Sequence, residues 1–146
     1  MTRISQFMHD DHNACDDLFA DAENAVAAKD WNLARRQFDA FHASMRRHFA
    51  REEDVLFPAF EAKTGMHGGP TAVMRAEHQQ MNGLLGEMSQ ALEKSDGKAY
   101  LGLSETLLML MRQHNMKEEN ILYPMSDQAL SGEQADLVAR MASLSG

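Results

Sequence analysis

The side chains best suited to chemistry occur twice in this chain at a constant offset of 66 residues: His12 and His78, His48 and His114, Glu52 and Glu118, with Pro58 and Pro124 following. His48 to Pro58 reads HFAREEDVLFP and His114 to Pro124 reads HNMKEENILYP, while Met8 and Asp11-His12 match Met74 and Glu77-His78. A packing pattern repeats apolar residues only, so His, Glu and Pro recurring together mark a repeated site. Residues four apart share one face of a helix, so His48 with Glu52, and His114 with Glu118, each present an imidazole and a carboxylate to one point. A buried ionised carboxylate is costly unless paired or coordinated, and two of them at the depth of four histidines call for cations. If each glutamate bridges two metals, each metal has two histidines and two carboxylate oxygens, and a solvent-derived oxo or hydroxo bridge makes five donors. Such mixed ligation suits iron better than a closed thiolate zinc site, and one cysteine, Cys15, excludes a Cys-rich zinc site.

These residues need long helices to position them. β-branched residues are scarce, nothing alternates cleanly, and Ala, Leu, Met, Glu and Gln fill four segments with helical period. Helix 1 is predicted from about Ser5 to Ala28, with Met8, His12, Cys15, Phe19, Ala22 and Val26 inward. Helix 2 follows a turn at Lys29-Asp30-Trp31, stripes Phe38, Phe41, Met45, His48, Glu52 and Val55, and should end near Pro58, because proline disfavours helical geometry in the residue before it. Helix 3 opens near Pro70 and stripes Met74, His78, Met81, Leu85, Met88 and Leu92. Helix 4 follows Ser95-Asp96-Gly97 and stripes Leu103, Leu107, Met111, His114, Glu118 and Ile121. A short tail helix, about Gly132 to Ser143, is expected on the outside. The paired histidines lie at nearly equal distances from the turns near Asp30 and Asp96, so two antiparallel hairpins bring all four into one layer. The expected fold is all-α, an up-down-up-down four-helix bundle with a short C-terminal helix.

At 146 residues the chain reads as a single domain, 1–146, large enough to bury a core without staples. A net charge of −8 argues against nucleic acid or an anionic membrane as partner. No apolar stretch approaches the about 20 residues needed to span a bilayer. With one cysteine and no signal-type N-terminus, a cytoplasmic location is expected.

Through Asp11-His12, Glu77-His78 and the two His-xxx-Glu-Glu-xx-Leu-aromatic-Pro segments, residues 8 to 125 resemble the hemerythrin-like (HHE cation-binding) family. The resemblance implies a four-helix bundle around two non-haem irons, with a small diatomic ligand or peroxide as partner. Carried over by position, the ligands are His12, His48, Glu52, His78, His114 and Glu118. Oxygen-carrying hemerythrins have a fifth histidine where this chain has Met74, and a thioether is a poor ligand for hard iron. The four-His, two-Glu set is more similar to di-iron proteins implicated in iron–sulfur cluster repair. The resemblance therefore implies a protein that binds or reacts with oxygen, nitric oxide or peroxide in sensing or stress response. Alternatives are an iron donor in cluster repair and a weak peroxidase or nitric oxide reductase.

Other residues have two readings each. His9 and His42, off the inward stripes, and His67, in a Gly-rich loop, read as surface histidines, with His67 the best spare ligand or gate. Asp16 is an acceptor for an imidazole N–H or part of a solvated surface. Glu53, Glu77 and Glu119 line a proton or solvent path or simply face water. Cys15 reads as a buried, inert thiol, and the methionines as adaptable core filler.

Overall fold

The computed structural model describes residues 2–144, which contain helices and no strand. The helices are α1 (Ile4–Ala27), α2 (Trp31–Ala50), α3 (Phe57–Thr64), α4 (Pro70–Glu93), α5 (Gly97–Lys117), α6 (Tyr123–Ala129) and α7 (Gln134–Ala142). Two π-helical turns, Arg51–Leu56 and Glu118–Leu122, join α2 to α3 and α5 to α6 without a break. The result is an up-down-up-down bundle of four rods, α1, α2 to α3, α4, and α5 to α6.

The tight turns follow from the repeat. Asp30 caps α2 by accepting from the Leu33 N–H at 3.2 Å, and Asp96 caps α5 by accepting from the Ala99 N–H at 3.0 Å. The residue before each cap, Lys29 or Ser95, takes the left-handed conformation, φ 58° and 50°, in which helices commonly terminate.

The helical rods do not stop where proline suggests. The second rod runs through Pro58 to Thr64, with the proline directly after the π turn, in the first turn of α3, where the ladder changes from π to α spacing. Phe57 keeps helical angles, φ −63° and ψ −46°, despite preceding proline. Its burial, with that of Phe60, holds it there. Pro124 occupies the same place in α6. The π turn also moves the inward stripe, since its i→i+5 spacing carries one extra residue per turn. Ile121, expected inward, is therefore 53% exposed, while Leu122 and Tyr123 are buried. Leu103, also expected inward, is half-buried.

The tail helix does more than lie on the outside. Leu137 and Met141 are buried against the lower end of the bundle, and Arg51 Nε donates to the Met141 carbonyl at 2.9 Å. Gln134 and Asp127 accept from the free N–H groups of Ile4 and Ser5 at 2.8 and 3.0 Å, so the end of α1 is capped from the far end of the chain. The apolar core is split in two. The upper cluster, toward the tight turns, includes Phe19, Phe38, Phe41, Leu85, Tyr100 and Leu107, and the lower one Ile4, Met8, Phe57, Phe60, Leu122 and Met141. The repeated His and Glu residues lie between them along every rod.

Candidate metal centre

Each rod contributes to the layer: α1 gives His12, α2 and its π turn His48 and Glu52, α4 His78, α5 and its π turn His114 and Glu118. All six are 3% exposed or less. The His12 and His48 rings lie 4.6 Å apart and the His78 and His114 rings 5.0 Å apart. Their donor atoms form two groups compact enough to hold an ion, Glu52, His78, His114 and Glu118, and His12, His48 and Glu118. Glu118 belongs to both groups and Glu52 to one, although Glu52 Oε1 also lies 3.4 Å from His48 Nε2.

The outer nitrogen of every imidazole is already committed. His48 Nδ1 pairs with Asp11 at 2.7 Å, His114 Nδ1 with Glu77 at 2.8 Å, His78 Nδ1 with Glu53 at 2.6 Å, and His12 Nδ1 with Glu119 at 2.7 Å. The two members of each kind are again 66 residues apart, so the repeat covers partners as well as inner groups. A carboxylate only accepts, so each pair holds a proton on Nδ1 and aims Nε2 inward, where its lone pair serves an ion that displaces any proton there. Inward, His78 Nε2 lies 3.0 Å from Glu52 Oε1 and His114 Nε2 3.2 Å from Glu118 Oε2, neither aligned for a hydrogen bond. His48 Nε2, His78 Nε2, His114 Nε2, Glu52 Oε1 and Glu118 Oε2 are all buried without a hydrogen-bond partner. Unpaired buried polar atoms are rare, and five of them shared between two adjoining groups fit a cation donor set.

The electrostatics agree. Burial pushes the Glu52 carboxyl up, and the neighbouring Glu118 charge adds to this. At His114 burial opposes the charge, yet Glu118 overrides it and raises the imidazole to about 9. Burial likewise works against Asp11, Glu77 and Glu119, but their basic partners hold all three carboxyls below the usual range: His48 and Arg51 for Asp11, Lys117 and His114 for Glu77, His12 and His9 for Glu119.

Several residues do other things than their sequence position suggests. His9 is not an idle surface residue, for its Nδ1 meets Glu119 at 2.6 Å and extends the chain His12–Glu119–His9 to the surface. Asp16 is exposed, and the His12 N–H it could have accepted goes to Glu119. His67 is exposed and His42 lies beside the Phe38 ring, both outside the two donor groups. Cys15 is buried, 3.0 Å from the Ser44 hydroxyl. Met74 is buried among Met8, Phe57 and Tyr123 in the lower cluster. Asp11 and Tyr123 are the residues sequence reasoning missed. Asp11 was visible as half of the repeated acid-His pair. Tyr123 was visible only as one of two aromatics before proline.

An all-α bundle whose rods converge four carboxylate-backed histidines on two buried glutamates defines a cation-binding helical protein. The hemerythrin HHE cation binding domain matches residues 3–126, and the chain belongs to that family. Membership implies non-haem iron binding. The chain is 29% identical over 136 residues to an uncharacterised hemerythrin-like protein of Schizosaccharomyces pombe, covering 92% of this chain and 64% of that one. It is 31% identical over 104 residues to the iron-sulfur cluster repair protein YtfE of Salmonella strains, covering 64% of this chain and 46% of theirs. The match thus spans less than two thirds of either relative. No solved structure matches the chain. Among the described residues no helix is long and apolar enough to cross a membrane.

Proposed function

We propose that the chain is a non-haem di-iron protein that binds or reacts with oxygen, nitric oxide or peroxide in sensing or stress response. The carrying observation is the set of five buried, partnerless donor atoms on His48, His78, His114, Glu52 and Glu118, backed by carboxylates on every outer nitrogen. One iron would be held by His12, His48 and Glu118, the other by His78, His114, Glu52 and Glu118, with an oxo or hydroxo bridge between them. When bound, the irons supply the electrons and open positions that small oxidants need. The protein's part is to keep each imidazole neutral on its inner nitrogen, hold Glu118 between the two sites, and exclude bulk water by the apolar clusters on either side. A surface depression of 190 Å³ lined by Ser5, Gln6, His9, Glu119 and Tyr123 offers small molecules an approach.

The test is metal analysis with an optical spectrum of anaerobically purified protein, before and after oxygen, peroxide and nitric oxide. About two irons per chain and a spectrum that responds to at least one of these support the reading, and a chain that takes up no iron overturns it. Similarity to the YtfE proteins favours a second reading, an iron donor in iron–sulfur cluster repair. Transfer of iron to an apo cluster protein separates it from the first.

A further inference from the structure

The 66-residue repeat is obeyed by all four imidazoles, both inner glutamates and all four outer carboxylates; among the aromatic residues that touch the centre it is broken at Phe49, which stacks on His78 and has Asn115 as its counterpart, and at the position before the repeated proline. The position before the repeated proline is Phe57 in one copy and Tyr123 in the other. Both rings stack on a histidine, Phe57 on His78 at 5.9 Å and Tyr123 on His12 at 5.5 Å. Only Tyr123 adds an oxygen. Its side chain is fully buried, and its hydroxyl lies 2.9 Å from Glu118 Oε1, 2.8 Å from Glu52 Oε2 and 3.2 Å from His12 Nε2.

These neighbours are inner donors, so the hydroxyl sits within the inner donor set. The two donor groups are also unequal, with four residues on the His78 side and three on the His12 side. The Tyr123 ring stacks on His12 and its hydroxyl meets His12 Nε2, which puts it beside the three-residue group, with Glu52 on its other flank. Donors sharing one ion at about 2.0–2.2 Å stand about 3 Å apart along an octahedral edge, and the separations from Tyr123 to Glu118 and His12 are of that size. We propose that Tyr123 is a protein ligand of the ion held by His12, His48 and Glu118, making the two irons chemically different. This rests on the di-iron reading. On ligation the O–H bond breaks, an Oη–iron bond forms, and the proton leaves to solvent by the depression that Tyr123 lines with His9 and Glu119.

Ferric phenolates absorb in the visible through ligand-to-metal charge transfer, and resonance Raman excited in that band reports the tyrosine ring directly. The chain has two tyrosines, and the Tyr100 hydroxyl is buried with no hydrogen-bond partner, so Tyr100→Phe leaves one tyrosine at little structural cost. Wild-type protein, Tyr100→Phe and Tyr123→Phe are loaded with ferrous iron, oxidised in air, and measured for iron content, helicity and visible-excited Raman. Tyrosinate modes are expected in the first two and complete loss in Tyr123→Phe, which should keep its iron because Phe57 fills the matching place at the other site. If Tyr123→Phe fails to fold, Tyr100→Phe grown with ring-deuterated tyrosine decides: modes that shift on labelling come from Tyr123. Tyrosinate modes absent from iron-loaded wild type, or persisting in Tyr123→Phe, overturn the assignment while leaving the di-iron reading intact. A wild-type chain that takes up no iron overturns both.

Discussion

At the scale of single residues, the two glutamates that look equivalent in the sequence do different work. Both accept from the Tyr123 hydroxyl, but Glu118 gives one oxygen to each donor group, whereas Glu52 gives Oε1 to the His78 group and reaches the other side only through the 3.4 Å approach of that same oxygen to His48 Nε2. Glu118→Ala should therefore cost nearly all bound iron, and Glu52→Ala should leave about one iron per chain; equal losses by metal analysis would contradict the unequal sharing. The outer carboxylates act through the histidines. Removing Asp11 or Glu77 by substitution to Ala should weaken iron binding by about 10- to 100-fold, with little change in helicity, measured by chelator competition. The six inner residues were legible because helical spacing and the repeat put them on one stripe. The outer carboxylates were present as motif letters, but their contacts run between rods. Asp11 on α1 serves His48 on α2, and Glu119 beyond α5 serves His12 on α1. No periodicity along one segment encodes a partner on another. Tyr123 is hidden for a simpler reason: in the repeated motif Phe57 and Tyr123 both read only as the aromatic in front of a proline.

At the scale of elements, the π turns let one rod serve two purposes. A continuous α-helix from His48 would carry Glu52 inward and then present a different face to the lower core. The wider turn resets the phase, so that Leu56, Phe57 and Phe60 are buried below the glutamate. In the other repeat the same reset brings Tyr123 under Glu118, with its hydroxyl in reach. Sequence patterning set the number and inward faces of the four rods but could not show this reset, because one extra residue per turn looks like noise in a 3.6-residue period. That is why Ile121 was expected inward and Pro58 was expected to end a helix. Deleting Asn120, an exposed residue of the second π turn, should return the segment to α-helical phase and rotate Tyr123 and Ser126 by about 100° relative to His114 and Glu118. Loss of iron and a lowered melting temperature are expected, and a deletion that kept both would show the π turn to be dispensable. The tail helix is a further element whose weight was underestimated from its length. Met141→Ala should cost about 2–5 kcal/mol in denaturant unfolding, as for other buried methionines.

At the scale of the whole molecule, the metal layer divides the core, and stability must respond to both metal and pH. Apolar clusters above and below the layer bury their residues with or without an ion, so chelation should lower the melting temperature while circular dichroism still shows a helical protein. The metal-free protein compensates its inner charge with protons. His114 is raised to about 9, so the proton it shares with Glu118 and Glu77 stabilises the fold fully below its ordinary value of 6.5. That contribution is lost as the pH rises through about 9. The carboxyls of Asp11, Glu77 and Glu119 are lowered, so their contribution is present above the ordinary carboxylate range and is lost as the pH falls through their folded values. The metal-free protein should therefore be most stable between these limits and should weaken from pH 7 to pH 10. Iron takes the place of the imidazole proton, because a ligating nitrogen must be deprotonated. The loaded protein then has no His114 proton to lose, and its melting temperature should hold over the interval in which the metal-free protein declines. Thermal unfolding of both forms from pH 5 to pH 10 checks this, together with proton release on iron addition at pH 7. Parallel alkaline declines would mean that iron and the proton do not compete for His114, and that its inner nitrogen is not a ligand.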